Sequence, residues 1–213
     1  MTEEAALAVR PLFDGELHVH YGQVYVWSGP DYPLLEQAFA GQTNGLCGAA
    51  WPGALFMITG LHTGRVRFTV ESYDEQPPHN DGWEDVVEVS FTPVSSRIVL
   101  AQWGGEVSWP LDLAEIGFRA RYCGKGMDEG RAADTILNSE PSHDRYLLQF
   151  WPAPVAPDRV LKVTSDVAAY WHRYARSLPA PRPPTPEEQT ERERRASLER
   201  NLRHRGLRDG GAS

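Results

Sequence analysis

The chain has 213 residues, a formal charge of −8, 41% hydrophobic and 10% aromatic content, and two cysteines. This composition supports a packed core and excludes a wholly disordered chain. The acidic balance excludes a non-specific nucleic-acid binder, which needs a clustered basic face. The two cysteines, Cys47 and Cys123, form no C-x-x-C pair, which excludes a disulfide scaffold and a zinc ribbon.

The charge is uneven. From Ser177 onward there are eight Arg against six Asp and Glu, a surplus of two, so the preceding body carries −10. The opening MTEEAALAVRPLF lacks the basic and apolar regions of a secretory signal. No stretch reaches the roughly 18 apolar residues of a membrane span. A cytoplasmic protein with reduced thiols is the expectation, without membrane contact.

In chain order, LHVHYGQVYVW at 17–27 comes first. Leu17, Val19 and Tyr21 share one parity and Val24 and Val26 the other, so a bulge at Gly22 lets both halves face one core. His18 and His20 then lie on the solvent face, about 7 Å apart at strand spacing. Two imidazoles so placed can bracket a metal, but no third ligand follows in Gln23-Val24-Tyr25, and the solvent-face reading is preferred. DYPLLEQAFA at 31–40 predicts a short helix with Asp31 as N-cap and Gly41 past its end.

GQTNGLCGAAWPG at 41–53 is glycine-rich but lacks the Lys-Ser/Thr ending of a phosphate loop. Cys47 could act as a thiol with His62 or His143; a buried structural cysteine is the commoner outcome. No GxSxG elbow occurs, and nothing indicates a cofactor or a catalytic residue.

ALFMITG (54–60), RIVLAQW (97–103) and RYLLQFW (145–151) read as strands buried on both sides, while GRVRFTVE (64–71), DVVEVSF (85–91) and IGFRARYC (116–123) alternate. In the last three, Arg65 and Arg67, Glu88 and Ser90, and Arg119 and Arg121 fall on the face expected to be solvated, as in antiparallel sheets. Between them, ESYDEQPPHNDGWED at 71–85 reads as an acidic hairpin loop without the calcium-loop spacing. Trp51-Pro52, Trp109-Pro110 and Trp151-Pro152 mark strand ends, because proline cannot continue a central ladder. The three indoles are corner packing or, in a functional reading, an aromatic platform for a ligand.

From Pro157 the period becomes helical, with Val160, Val163, Val167, Trp171 and Tyr174 on one stripe and a secure core at 165–176. RVLKVT is β-branched enough to form a strand instead. Residues 1–176 are therefore expected to form one domain, 177–186 a Pro-rich linker, and 187–213 a charged tail, helical or disordered. Thr185, Pro186 and Glu188 supply a capping box for that tail. The fold class is mainly β: an antiparallel sandwich of about seven or eight strands with a packed C-terminal helix.

The order of these elements resembles the competence protein J family, small β-sandwich-type proteins that include inhibitors of a DNA-entry nuclease. The resemblance runs over roughly residues 13–155, through LHVHYGQVYVW, GALFMITGLHTGRVRFTVE, DVVEVSFTP, RIVLAQW and DRYLLQFWPAP. It carries no catalytic motif, and the charged tail departs from that family's short form. It implies a non-enzymatic inhibitor or immunity-type protein acting on a basic partner, a nuclease or a toxin. In that role Asp74, Glu75, Asp81, Glu84 and Asp85 would imitate phosphate charge. The runner-up is a small-ligand or carbohydrate-binding sandwich that uses Trp51, Trp109 and Trp151.

Overall fold

The computed structural model describes residues 8–137, 140, 142–180 and 194. The chain divides into two units, Met1–Ala180 and Pro181–Ser213. The expected linker beyond Ala180, the capping box and the tail lie outside the described residues, apart from Arg194.

Eleven strands are described: β1 (Val9–Val19), β2 (Gln23–Trp27), β3 (Cys47–Gly48), β4 (Ala54–Ile58), β5 (Gly64–Tyr73), β6 (Asp85–Phe91), β7 (Val99–Gln102), β8 (Ser108–Pro110), β9 (Phe118–Lys125), β10 (Arg145–Pro152) and β11 (Arg159–Lys162). Three α-helices accompany them, α1 (Leu35–Phe39), α2 (Met127–Ala133) and α3 (Asp166–Ser177), with a short 3-10 helix at Trp103–Gly105. One sheet has the order β1-β5-β10-β9-β6-β11 and the other β3-β4-β2-β7-β8. The strand count therefore exceeds the expected seven or eight.

The larger sheet is mixed rather than antiparallel throughout, because β10 runs parallel to β5. These strands are distant in sequence, which leaves the chain length that a parallel crossover needs. β5 and β6 are consecutive along the chain yet separated in the sheet by β10 and β9. The 74–84 segment is thus no hairpin loop, and must span two strands.

The chain passes from one sheet to the other at Tyr21-Gly22, both with positive φ (55° and 63°), while His20 and Gln23 face each other across the turn. This pattern is a two-residue reversing turn rather than the expected bulge. It serves the predicted purpose: Leu17 and Val19 from β1 and Val24 and Val26 from β2 enter one shared core. Burying each such side chain stabilises the fold by roughly 1.5–3 kcal/mol. Inward residues of the alternating strands, among them Phe68, Val87, Phe91 and Tyr122, join the same core as Leu55 and Met57 of the smaller sheet. Two stacked tyrosines bridge the sheets: Tyr122 donates to the Ile58 carbonyl at 2.9 Å, and the Gly60 N–H donates to Tyr146 Oη at 2.6 Å.

The helices depart from expectation at their starts. α1 begins only at Leu35, and the Gln37 side chain, not Asp31, receives the Leu34 N–H. α3 begins at Asp166, and RVLK forms β11. Its buried face is Val167, Ala168, His172 and Ala175, while Val163 is 44% exposed. Val167 is buried as expected, but the inward face is centred one residue further on, so His172 and Ala175 are buried while Trp171 and Tyr174 are only half-buried. Three side chains satisfy the N-terminal amides that a helix leaves unpaired. Ser165 accepts from Ala168, Asp128 accepts from Asp166 and Val167, and Asp85 accepts from Thr164 and Ser165.

Candidate functional site

The outer face of the larger sheet carries a row of polar side chains in cross-strand register: Glu71 of β5, Gln149 of β10, Arg121 of β9, Glu88 of β6 and Arg159 of β11. Sequence alternation assigned Glu88, Arg119 and Arg121 to a solvated face. They are instead buried, at 2%, 5% and 3% exposure. Glu88 makes this possible by pairing with Arg121 at 3.0 Å and with Arg119 at 3.4 Å, so neither guanidinium is left unpaired away from water.

The 74–84 segment covers part of this row, and the sheet's cations hold its backbone. Arg121 donates to the carbonyls of Pro77 and Pro78, Lys125 to that of Gly82, and Lys162 to those of Asp81 and Trp83. Asn80 closes a turn onto the Gly82 N–H, and the Glu84 N–H reaches the Gly124 carbonyl. Because these cations bond to carbonyls, the loop's carboxylates remain outward. Asp74, Glu75 and Asp81 are exposed, and among the described residues the only ion pair of the three is Asp81 with His79 at 3.4 Å. The result is an anionic surface on a fixed backbone.

Two of the five carboxylates read as partner-binding do not belong to that surface. Asp85 is fully buried, and its oxygens are engaged by Thr164 and Ser165. Glu84 is half-buried and accepts from the Gly126 N–H at 2.8 Å. Both sit where the loop enters β6, so they tie it to α3 and to the turn before α2.

The three indoles fall in three neighbourhoods. Trp151 is 4% exposed, with the Arg121 guanidinium 5.1 Å from its ring centroid, so it offers no open face for a ligand. Trp109, half-buried on β8, packs on Phe13 at 4.9 Å. Trp51, half-buried, lines a groove of about 480 Å³.

His18 is exposed opposite Arg65, whereas His20 turns towards His62, with ring centroids 5.9 Å apart. Both Nδ1 atoms lie 2.9 Å from Thr63 Oγ1, and Tyr21 and Trp103 pack against His20. The ring facing His20 is therefore His62, not His18. Among the described residues no three His, Cys, Asp or Glu side chains gather as a metal-ligand set.

Cys47 is fully buried in the core, and burial pushes its thiol far above the thiolate range. His62 is engaged with Thr63, and His143 is exposed. Burial likewise pushes the Cys123 thiol up to about 12. His172 is 2% exposed; its Nδ1 accepts the Gly45 N–H, and burial together with the nearby Arg176 charge lowers its pKa to about 4. Sequence reasoning missed the Glu88 network and the buried Asp144, which accepts from the Leu61 N–H and the Tyr146 hydroxyl. The sequence showed Glu88 between two valines and two arginines in β9, but not that the two strands lie side by side.

No family model matches the chain, and no curated protein matches it. Two solved structures are similar. One is ComJ from Bacillus subtilis, described as an inhibitor of the DNA-degrading activity of NucA, with 15% identity over 68% of this chain and 99% of that one and a TM-score of 0.46. The other is Crocagin biosynthetic gene J, with 12% identity over 70% of this chain and 100% of that one, also at a TM-score of 0.46. Neither shows family membership, and at such identity neither neighbour's activity transfers to this chain.

Among the described residues no helix is long and apolar enough to cross a membrane.

Proposed function

We propose that this chain is a non-enzymatic, cytoplasmic protein-binding module that occupies a basic partner through the 74–84 loop. The observation that carries this reading is the division of labour in the loop. Arg121, Lys125 and Lys162 bond to its carbonyls, while Asp74, Glu75 and Asp81 stay exposed. An anchored loop loses little conformational freedom on binding, and its carboxylates can steer and orient a cationic partner. Among basic partners, the sequence resemblance singles out a nuclease, whose phosphate-binding cleft such carboxylates would fill. Glu84 and Asp85 act as supports of the loop, not as contacts.

The test is capture from the native cell extract with the full chain and with an Asp74→Lys, Glu75→Lys, Asp81→Lys variant, followed by mass spectrometry. The expected outcome is one stoichiometric basic protein, held by the native chain, lost from the variant and released at about 0.5 M salt. A partner retained equally by the variant would place the interface elsewhere.

A further inference from the structure

The groove beside Trp51 is lined mostly by apolar groups: Trp51, Pro52, Ala54, Phe91, Val94 and Val155 are among its walls. Its volume of about 480 Å³ lies within the roughly 300–1,000 Å³ typical of small-molecule sites. The walls are pinned from outside. Ser28 Oγ donates to the Gly53 carbonyl and accepts from the Val94 N–H, fixing the turn before β4. A Cβ on Gly53 would stand 2.7 Å from Val94 Cγ2, so this approach requires glycine. On the other side, Ser90 bonds to both the N–H and the carbonyl of Ala156, and Arg119 donates to the same carbonyl. The Gln42 amide, also at the wall, is consumed by the Cys47 carbonyl and the Ala49 N–H.

One charged group in this lining remains incompletely used. Asp158 Oδ2 accepts from the Thr43 N–H and hydroxyl and from the backbone and side-chain N–H groups of Asn44. Among the described residues Oδ1 has no hydrogen bond and no cation pairs with the carboxylate. Burial works against its charge, yet the hydrogen bonds from Asn44 and Thr43 outweigh it and hold the pKa below the ordinary carboxylate value. A fixed anion at the edge of an apolar, aromatic-walled groove is complementary to a cation with an apolar body.

We infer that this groove binds a small aryl- or alkyl-substituted amine, its ammonium against Asp158 and its apolar body against Trp51 and Val155. The site is separate from the acidic loop, and the proposal stands or falls independently of any protein partner. A free small molecule fits better than a lysine side chain presented by a peptide, because apolar wall extends from the one anion along the groove and a bare butyl stem would leave most of that wall uncovered.

The test is an NMR titration of the full chain with phenethylamine, with 2-phenylethanol as the neutral isostere and Nα-acetyl-lysine methylamide as the peptide surrogate. The expected result is saturable shifts of the Thr43, Asn44, Gly53 and Ala156 amides, with the amine binding at about millimolar concentration. The alcohol and the lysine surrogate should bind roughly tenfold more weakly. Val155 is 77% exposed, so Val155→Lys places a competing ammonium at the groove without touching the core, and should abolish the shifts. Asp158→Asn should remove the preference for amine over alcohol. No saturable shift, equal binding of amine and alcohol, tighter binding of the lysine surrogate, or shifts that persist in Val155→Lys would each overturn the proposal.

Discussion

Asp81 and Glu88 lie seven residues apart and are put to opposite uses. Asp81, exposed on the 74–84 loop, has its carbonyl bound by Lys162 while its carboxylate faces outward beside His79. Glu88, the fourth residue of β6 and buried, uses its carboxylate on Arg119 and Arg121 and presents almost nothing to solvent. The same side-chain chemistry serves as surface in one place and as frame in the other. Arg121 serves both: it pairs with the Glu88 carboxylate within the sheet and donates to the Pro77 and Pro78 carbonyls of the loop, which is held by its backbone and so keeps the Asp81 carboxylate outward.

The largest effect that would test this contrast is at Glu88. Glu88→Gln leaves two buried guanidinium groups without a counter-charge and should destabilise the fold by about 3–5 kcal/mol in urea unfolding. A loss below about 1 kcal/mol would mean that water reaches the arginines and that the row is no frame.

Next in size is the pH response of His172. Its folded pKa of about 4 lies below the ordinary value of 6.5. The unfolded chain therefore takes up a proton first as pH falls. Stability is full above about pH 6.5 and declines towards pH 4, by at most about 3 kcal/mol. His172→Gln, which keeps an acceptor for the Gly45 N–H but does not titrate, should flatten that limb in pH-dependent unfolding.

Ser165→Ala removes the α3 cap and one donor to Asp85, and should cost about 1–2 kcal/mol. The smallest effect on stability belongs to the exposed carboxylates. Asp74→Asn, Glu75→Gln and Asp81→Asn together should leave the unfolding midpoint unchanged while weakening partner capture. A marked drop in the midpoint would assign these residues to the frame instead.

Much of the frame was legible in the sequence. Alternation placed Val66, Phe68 and Val70, and Val87, Val89 and Phe91, on the core side, and all six are buried. Tryptophan-proline pairs stand in the turn before β4 and at the ends of β8 and β10. The burial of Arg119 and Arg121 was not legible, because it depends on β9 lying beside β6 with Arg121 opposite Glu88, a register that no local pattern encodes. The same gap hid the loop's course. Acidic residues at 74–85 were visible as a cluster, but which of them face solvent follows from β5 and β6 being two strands apart, and from Thr164 and Ser165 arriving over Asp85 from beyond β11.

Docking through the 74–84 loop requires that the loop be held in place before any partner arrives. Amide hydrogen exchange of the free full chain tests it most directly, comparing the native protein with Lys162→Met. The Gly82, Trp83 and Glu84 N–H groups are bonded to Asn80 and Gly124, so the native chain should exchange them well below the unstructured rate. Loss of the Lys162 ammonium should speed them while leaving β9 and β10 unchanged. Exchange of those three amides at the unstructured rate in the native protein would contradict the claim.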